Sequence, residues 1–443
     1  MRRLLFIFSF LSLLVVDGKA QEVETLTLED CLRIGIDNNL SLEGKRKEIQ
    51  KSKYGVSENR SKLLPQITVI AGYNNNFDPP VSVTDGSSYG VPYNITKTLQ
   101  HTANAGLEMQ MPLFNQTLYT SMSIAKVMEE ISRLSYGKAR EDIIMQISKM
   151  YYLGQVTAEQ IVLIKANITR LEELRDITQA FFDNGMSMEV DLKRVNKNLE
   201  NLKVQYDNAQ AMMKQQLNML KYIMDYPAEK EFVLTPVNTD SITTVALTGL
   251  SENIYELQLS QSQVQLAEKQ KKIISNGYIP SLSLTGSWRY AAYTDKGYHW
   301  FHSGPSNHWF RSYGLGLTLR IPIFDGLDKT YKIKKAMIDI ENRKLAWENA
   351  RKSLQTQYLN AVNDLMNNQR NFKKQKDNYL LAEDVYTVTS DRYREGIASM
   401  TEVLQDEMQM SEAQNNYISA HYNYRITNLM LLKLTGQIES LVK

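Results

Sequence analysis

The sequence predicts a mixed α and β membrane protein made of two internal repeats, each with two transmembrane β-strands and long coiled-coil helices. Three observations carry this. First, short stretches recur in order at a spacing of about 210 residues, the mark of an internal duplication. "EMQMPLFNQ" (Glu108 to Gln116) returns as "LRIPIFDGL" (Leu319 to Leu327), and Pro65 in "LLPQITV" matches Pro280 in "YIPSLSL". Gly185 in "FFDNGMSMEVDL" likewise matches Gly396 in "RYREGIASMTEV". Second, the residues before each proline–phenylalanine junction alternate apolar and polar. Third, no proline occurs between Pro112 and Pro227, or anywhere after Pro322, which leaves room for very long helices.

The N-terminus reads as a processing signal. "MRR" is basic, Leu4 to Val16 is apolar, and Gly18 and Ala20 are small, so residues 1–20 form a secretory signal peptide cut after Ala20. The apolar run is too short to span a bilayer. An apolar content of 43% allows a buried core, and a net charge of +2 offers nothing to nucleic acid. Cys31 is the only cysteine, so no intrachain disulfide forms. It sits in the helical pattern "LEDCLRI" without a lipid-attachment motif and is read as a packed helix residue.

The first repeat spans 21–226, with helices at about 27–63, 117–184 and 187–225 and strands at about 66–76 and 102–112. A linker at 227–250 follows. The second repeat, 251–436, has helices at about 251–277, 326–395 and 398–435 and strands at about 281–293 and 311–322; residues 437–443 form a tail.

The strands show period two. Ile67, Val69, Ala71 and Tyr73 alternate with Thr68, Ile70 and Gly72, and Tyr313, Leu315, Leu317 and Leu319 alternate with Ser312, Gly314, Gly316 and Thr318. One apolar and one small polar face over roughly ten residues suits a strand in the outer membrane. The same pattern suits a half-exposed soluble sheet. Four strands cannot close a barrel, so the membrane reading requires several chains to share one.

The helices carry seams at spacings of three and four. Ile161, Ile164, Ile168, Leu171, Leu174, Ile177 and Phe181 form one; Leu192, Val195, Leu199, Leu202, Tyr206, Ala209 and Met212 form another. The second repeat answers with Val403, Asp406, Met410, Ala413, Tyr417 and Ala420. A helix from Leu118 to Asn184 would run on the order of 100 Å, suited to crossing a distance.

Together these residues resemble the TolC-like outer-membrane efflux proteins. "LTLEDCLRIGIDNNLSL" is similar to the family's N-terminal signature, and the two strand entries and two glycine turns quoted above resemble its internal repeat, over nearly the whole mature chain. The resemblance implies a homotrimer with a 12-stranded outer-membrane β-barrel on an α-helical periplasmic barrel, and a small belt to which 226–250 and the tail contribute. It also implies a periplasmic adaptor and an inner-membrane pump as partners, with outer-membrane lipid around the barrel.

No phosphate-binding loop, H-E-x-x-H or G-x-S-x-G occurs, so neither enzyme nor cofactor is expected. By resemblance the gate lies at the glycine turns. Asp191 and Glu402 are the acids six residues after Gly185 and Gly396, and Tyr393 stands where the family has a tyrosine that latches helices through the first acid. Ala398 and Gln405 depart from the best-known member, which has an arginine and a second acid there. Asp191 and Glu402 also suit ordinary helix N-termini, and Tyr393 ordinary seam packing. Gly185, Met186, Gly396 and Ile397 form the expected adaptor-docking tips, and Glu108, Arg289 and Arg320 the expected barrel lumen. His299, His302 and His308 beside Trp300 and Trp309 suit aromatic anchoring better than a metal site. "NIT" at Asn94 and Asn167 resembles a glycosylation signal only by chance. The expected function is a passive, gated export duct; a structural coiled-coil envelope protein is the alternative.

Overall fold

A computed structural model describes residues 24–236, 249–294 and 309–442. The expected signal peptide, residues 237–248 of the linker and the three histidines near 300 lie outside these residues. The chain forms two compact units, residues 1–40, 141–249 and 358–443 in one, and 41–140 and 250–357 in the other.

The second unit holds the sheet. It comprises helix α2 (Leu40–Ser61), strands β2 (Gln66–Asn75), β3 (Val81–Asp85), β4 (Tyr93–Lys97) and β5 (His101–Phe114), and the start of α3 (Gln116–Asp183). After α5 (Tyr255–Asn276) come β7 (Ser281–Thr294), β8 (Trp309–Arg320) and the start of α6 (Asp328–Arg394). One antiparallel sheet has the order β2-β5-β7-β8. Alternation decides its faces: Val69, Leu107, Trp288 and Tyr313 are paired across all four strands and share one face. That face lies open, with Val69 75% and Leu315 81% exposed.

Two features depart from the sequence reading. The connection expected as loop contains the β3–β4 hairpin, built on Val81, Val83 and Ile95, whose β-branched side chains favour strands. The two junctions also differ. β5 runs through Pro112 to Phe114 with a register shift, a bulge that tolerates a residue lacking N–H, whereas β8 stops at Arg320 before Pro322.

The first unit packs β1 (Glu24–Leu26), α1 (Leu28–Asn38), the later part of α3, α4 (Glu189–Met224), β6 (Phe232–Leu234), the later part of α6, and α7 (Met400–Leu434). The helix expected at 27–63 breaks at Asn39, whose backbone leaves the helical region (ψ 118°) while its amide donates to the Ile223 carbonyl at 2.8 Å. Asparagine favours such ends because its side chain competes for backbone partners. β1 pairs in parallel with β6. Around this pair Leu26, Cys31, Leu32, Ile147, Met224 and Ile438 form one buried cluster that brings in the C-terminal turn. Burial pushes the Cys31 thiol up to about 12, which leaves it a packed and unreactive side chain.

A second cluster joins α3, α4, α6 and α7 through Leu171, Leu174, Val195, Leu199, Tyr393 and Val403. Two seam assignments are corrected. Met212 is 53% exposed, because the α4 stripe drifts round the helix and Ala209 gives way to Gln216 and Leu220. On α7 the buried acid is Glu407, with Asp406 only half-buried, since spacings of four and three from Val403 to Met410 pass through 407.

Candidate functional site at the helix tips

Both tips turn on a left-handed glycine. Gly185 and Gly396 have φ of 72° and 74°, a conformation that a side chain would strain. The Gly185 N–H donates to Phe182 O (2.9 Å) and the Met186 N–H to Phe181 O (2.8 Å). The Gly396 and Ile397 N–H groups do the same to Tyr393 O (2.9 Å) and Arg392 O (2.8 Å). These bonds satisfy the last carbonyls of α3 and α6. Met186 and Ile397 project from the turns and are exposed.

The following helices start differently. Ser399 caps α7 and forms a complete capping box: its N–H donates to Glu402 Oε2 (2.9 Å), and the Glu402 N–H donates to its hydroxyl (3.3 Å). Met188 caps α4 without any side-chain bond. Asp191 is therefore not engaged in capping. Its half-buried carboxylate pairs instead with Arg194 at 3.2 Å. Gln405 is exposed.

Tyr393 is buried. Its ring packs on Phe181 (centroids 5.6 Å apart), and its hydroxyl donates to Thr178 Oγ1 at 3.3 Å. Tyr393 and Asp191 line the same hollow of about 530 Å³ with Phe181, Met186 and Ser399. Within one chain the tyrosine hydroxyl thus goes to Thr178, not to Asp191. Ala398 packs against the cluster below.

Above the tip, α7 carries a feature that apolar periodicity misses. Glu407, Gln414, His421 and Asn428 recur every seven residues and are all buried. The Asn167 amide donates to Gln414 Oε1 at 2.7 Å, which also removes Asn167 from any surface modification. His421 is fully buried; the Arg425 Nε donates to its Nε2 (3.0 Å), and its Nδ1 faces Glu159 at 3.4 Å. Tyr417 donates to the other Glu159 oxygen at 2.9 Å, and Phe372 lies 4.9 Å from the His421 ring. Glu407 has an unpartnered oxygen, and burial pushes its carboxyl up. The readable signal was a strict seven-residue spacing of polar residues.

On the sheet, Glu108 lies opposite Ser287, Arg289 opposite Gly106 and Ser312, and Arg320 opposite Ser281, so the three share the polar face. Glu108 and Arg289 form an ion pair there. No described helix is long and apolar enough to cross a membrane.

An amphipathic sheet with open edges, joined in one chain to long paired helices, defines a channel protein of the outer-membrane type. Residues 34–224 and 240–437 match the family described as "Outer membrane efflux protein". Outer membrane protein TolC of Vibrio cholerae serotype O1 is 21% identical over 396 residues, covering 86% of this chain and 84% of that one. A solved structure of CusC shares the fold at a TM-score of 0.77 and 15% identity, covering 92% of this chain and 91% of that chain. The open-state MtrE outer membrane channel of Neisseria gonorrhoeae does so at 0.70 and 19%, covering 92% and 88%. The chain belongs to the outer membrane efflux protein family. It is an efflux channel of the outer membrane with a periplasmic portion, and the structural-protein alternative is set aside.

Proposed function

We propose that three copies of this chain close one β-barrel and one helical tunnel, forming a passive duct gated at the helix tips. A periplasmic adaptor and an inner-membrane pump complete the assembly. The observation that carries this reading is the sheet itself: among the described residues β2 and β8 have unpaired edges, and the apolar face is open. A membrane cannot tolerate free backbone edges. Three copies of the four-stranded sheet would make twelve strands and leave none. Exposed Tyr331, Ile338, Leu345, Leu359, Met366 and Leu380 on α6 recur at multiples of seven, as a seam awaiting a neighbouring helix would. Glu108, Arg289 and Arg320 then line the barrel lumen.

At the tip, Asp191 is the better candidate than Glu402 for the acid that selects cations, because its carboxylate is held only by the exposed Arg194 side chain and not in a capping box. Three such groups near one axis concentrate cations in a narrow passage. Tyr393, Glu402 and Gln405 complete the gate region, and the turns at Gly185–Met186 and Gly396–Ile397 form the adaptor's docking surface.

Single-channel conductance in a planar bilayer tests the duct and the gate together. Small cation-selective steps are expected from the wild type, larger ones from Tyr393→Ala, and weaker selectivity from Asp191→Asn than from Glu402→Gln. A folded trimer that gives no steps defeats the reading. Met186→Glu and Ile397→Glu should abolish export in cells while leaving the trimer intact; continued export would move the docking surface elsewhere.

A further inference from the structure

The two strand-to-helix junctions are alike in shape and unlike in charge. α3 opens "QTLYTSMSIAK" with no charged side chain before Lys126, whereas α6 opens "DKTYKIKK" with Lys329, Lys332, Lys334 and Lys335 in its first eight residues. A helix N-terminus is its positive end, so lysines there oppose the dipole. Two of the four are answered within the chain: Lys329 pairs with Asp325 at 3.0 Å and Lys332 with Asp328 at 2.6 Å. Lys334 lies over the Tyr331 ring at 5.6 Å, and Lys335 is exposed; neither has a carboxylate partner among the described residues. Beside them, Lys271, Lys272 and Lys344 line a hollow of about 630 Å³ between α5 and α6, where Glu268 and Glu341 leave the cations in excess.

The residues on the strand side explain where this charge sits. Ile323 is 94% and Phe324 81% exposed, and Leu327 is exposed as well. Next come Tyr278, under the Lys329 ammonium at 5.0 Å, and Tyr331. From the strand end into α6 the exposed apolar Ile323, Phe324 and Leu327 therefore come first and the lysines follow, with Tyr278 and Tyr331 packed beside them. A bilayer presents the same order from its hydrocarbon core outward, with aromatic side chains favoured at the boundary. The first eight residues of α6 rise about 12 Å, enough to cross the roughly 5–8 Å headgroup layer that borders the core. The first junction has no such gradient.

We propose that the junction from Ile323 to Lys335, with Lys271 and Lys272 beside it, binds the phosphate headgroups of anionic phospholipids in the periplasmic leaflet of the outer membrane. The inference rests on the reading that β7 and β8 cross that membrane. Lysine ammonium groups hold phosphate as point charges, and clustered basic residues at a membrane surface gain affinity with each charge, in a salt-sensitive way. The site gives the second repeat a fixed depth in the bilayer that the first repeat lacks.

The test uses the full chain in detergent, titrated with fluorescent phosphatidylglycerol or phosphatidylcholine at low salt. The wild type should bind phosphatidylglycerol about tenfold more tightly or better. Lys272→Gln, Lys332→Gln, Lys334→Gln and Lys335→Gln combined should erase that preference. Lys373→Gln, Lys374→Gln and Lys376→Gln combined, about forty residues further along the same helix, should keep it. Equal binding of the two lipids, or a preference that survives the first variant, overturns the proposal. Full competition by millimolar inorganic phosphate also overturns it and assigns a free-anion site instead. Flotation with phosphatidylcholine vesicles separates the two levels: protein that inserts without lipid preference defeats only the headgroup site, and protein that does not insert defeats the membrane reading and this proposal with it.

Discussion

α4 and α7 are the same helix in two repeats, each following a left-handed glycine turn, yet their surroundings differ. α4 buries one stripe, from Val195 through Leu199, Leu202 and Ala209 to Met224, and leaves Val204 and Met212 open. α7 buries a matching stripe through Val403, Met410 and Tyr417, and beside it the polar row Glu407, Gln414, His421 and Asn428. The equivalent row on α4 is exposed at Asn196 and Gln210 and half-buried at Lys203. Duplication preserved the backbone and the apolar stripe, and the neighbours decided which polar residues became interior. Buried polar positions at heptad spacing restrict register at a cost in stability relative to apolar residues at the same places, so the polar row on α7 fixes its alignment in a way that α4 does not share.

The largest expected effect tests burial. Met410→Ala should cost about 3 kcal/mol in chemical denaturation, while Met212→Ala on the open flank of α4 should cost under about 0.5 kcal/mol. An equal cost at Met212 would mean that a neighbouring chain covers this flank. Next, Asn167→Leu alone should destabilise by about 2 kcal/mol because it strands the buried Gln414 amide. Combining it with Gln414→Leu should recover most of the loss. A double variant as weak as the single one would show that the pair contributes more than mutual satisfaction.

Glu407 supplies a pH test. Burial raises its folded-state pKa, and Tyr386 on α6 is raised by burial and then by this carboxylate, to about 12. The folded chain keeps the Glu407 proton over a range where the unfolded chain has released it. Stability from this group is present below the unfolded value, falls as pH rises through the folded value, and stays low above it. Glu407→Gln should raise Tm by about 2 °C at pH 8, with the gain vanishing below about pH 4. A gain that is independent of pH would show that ionisation of this carboxyl is not its cause.

The smallest effects concern the caps. Ser399→Ala should cost about 1 kcal/mol. Met188→Ser should gain about 0.5 kcal/mol by completing a capping box with Asp191, and by drawing that carboxylate from Arg194 it should weaken cation selectivity in conductance. Unchanged selectivity would argue against Asp191 as the gate acid.

Much of this was legible in the sequence because it depends on local rules. Alternation at Tyr313 to Leu319 requires a two-faced strand, proline-free stretches permit long helices, and Gly185 and Gly396 stand where only glycine turns easily. The β3–β4 hairpin was harder to read, since five-residue strands flanked by glycine and proline look like loop. The break at Asn39 is not legible in the sequence, because an asparagine within a helical pattern announces a cap only once a partner such as the Ile223 carbonyl is known. Of the candidate site, the two glycine turns could be read from the sequence, but the partners of Asp191 and the destination of the Tyr393 hydroxyl could not.

The sequence by itself determined the duplicated order of strands and helices, the amphipathic sheet and the positions of the tip turns, because side-chain period and backbone preference act within a few residues. Only the tertiary structure decided that Thr178 receives the Tyr393 hydroxyl, that Ser399 engages Glu402 while Asp191 stays with Arg194, and that Glu407 and His421 are interior. Those outcomes depend on which side chains arrive from distant parts of the chain, and burial and hydrogen-bond competition are settled only once the helices have packed.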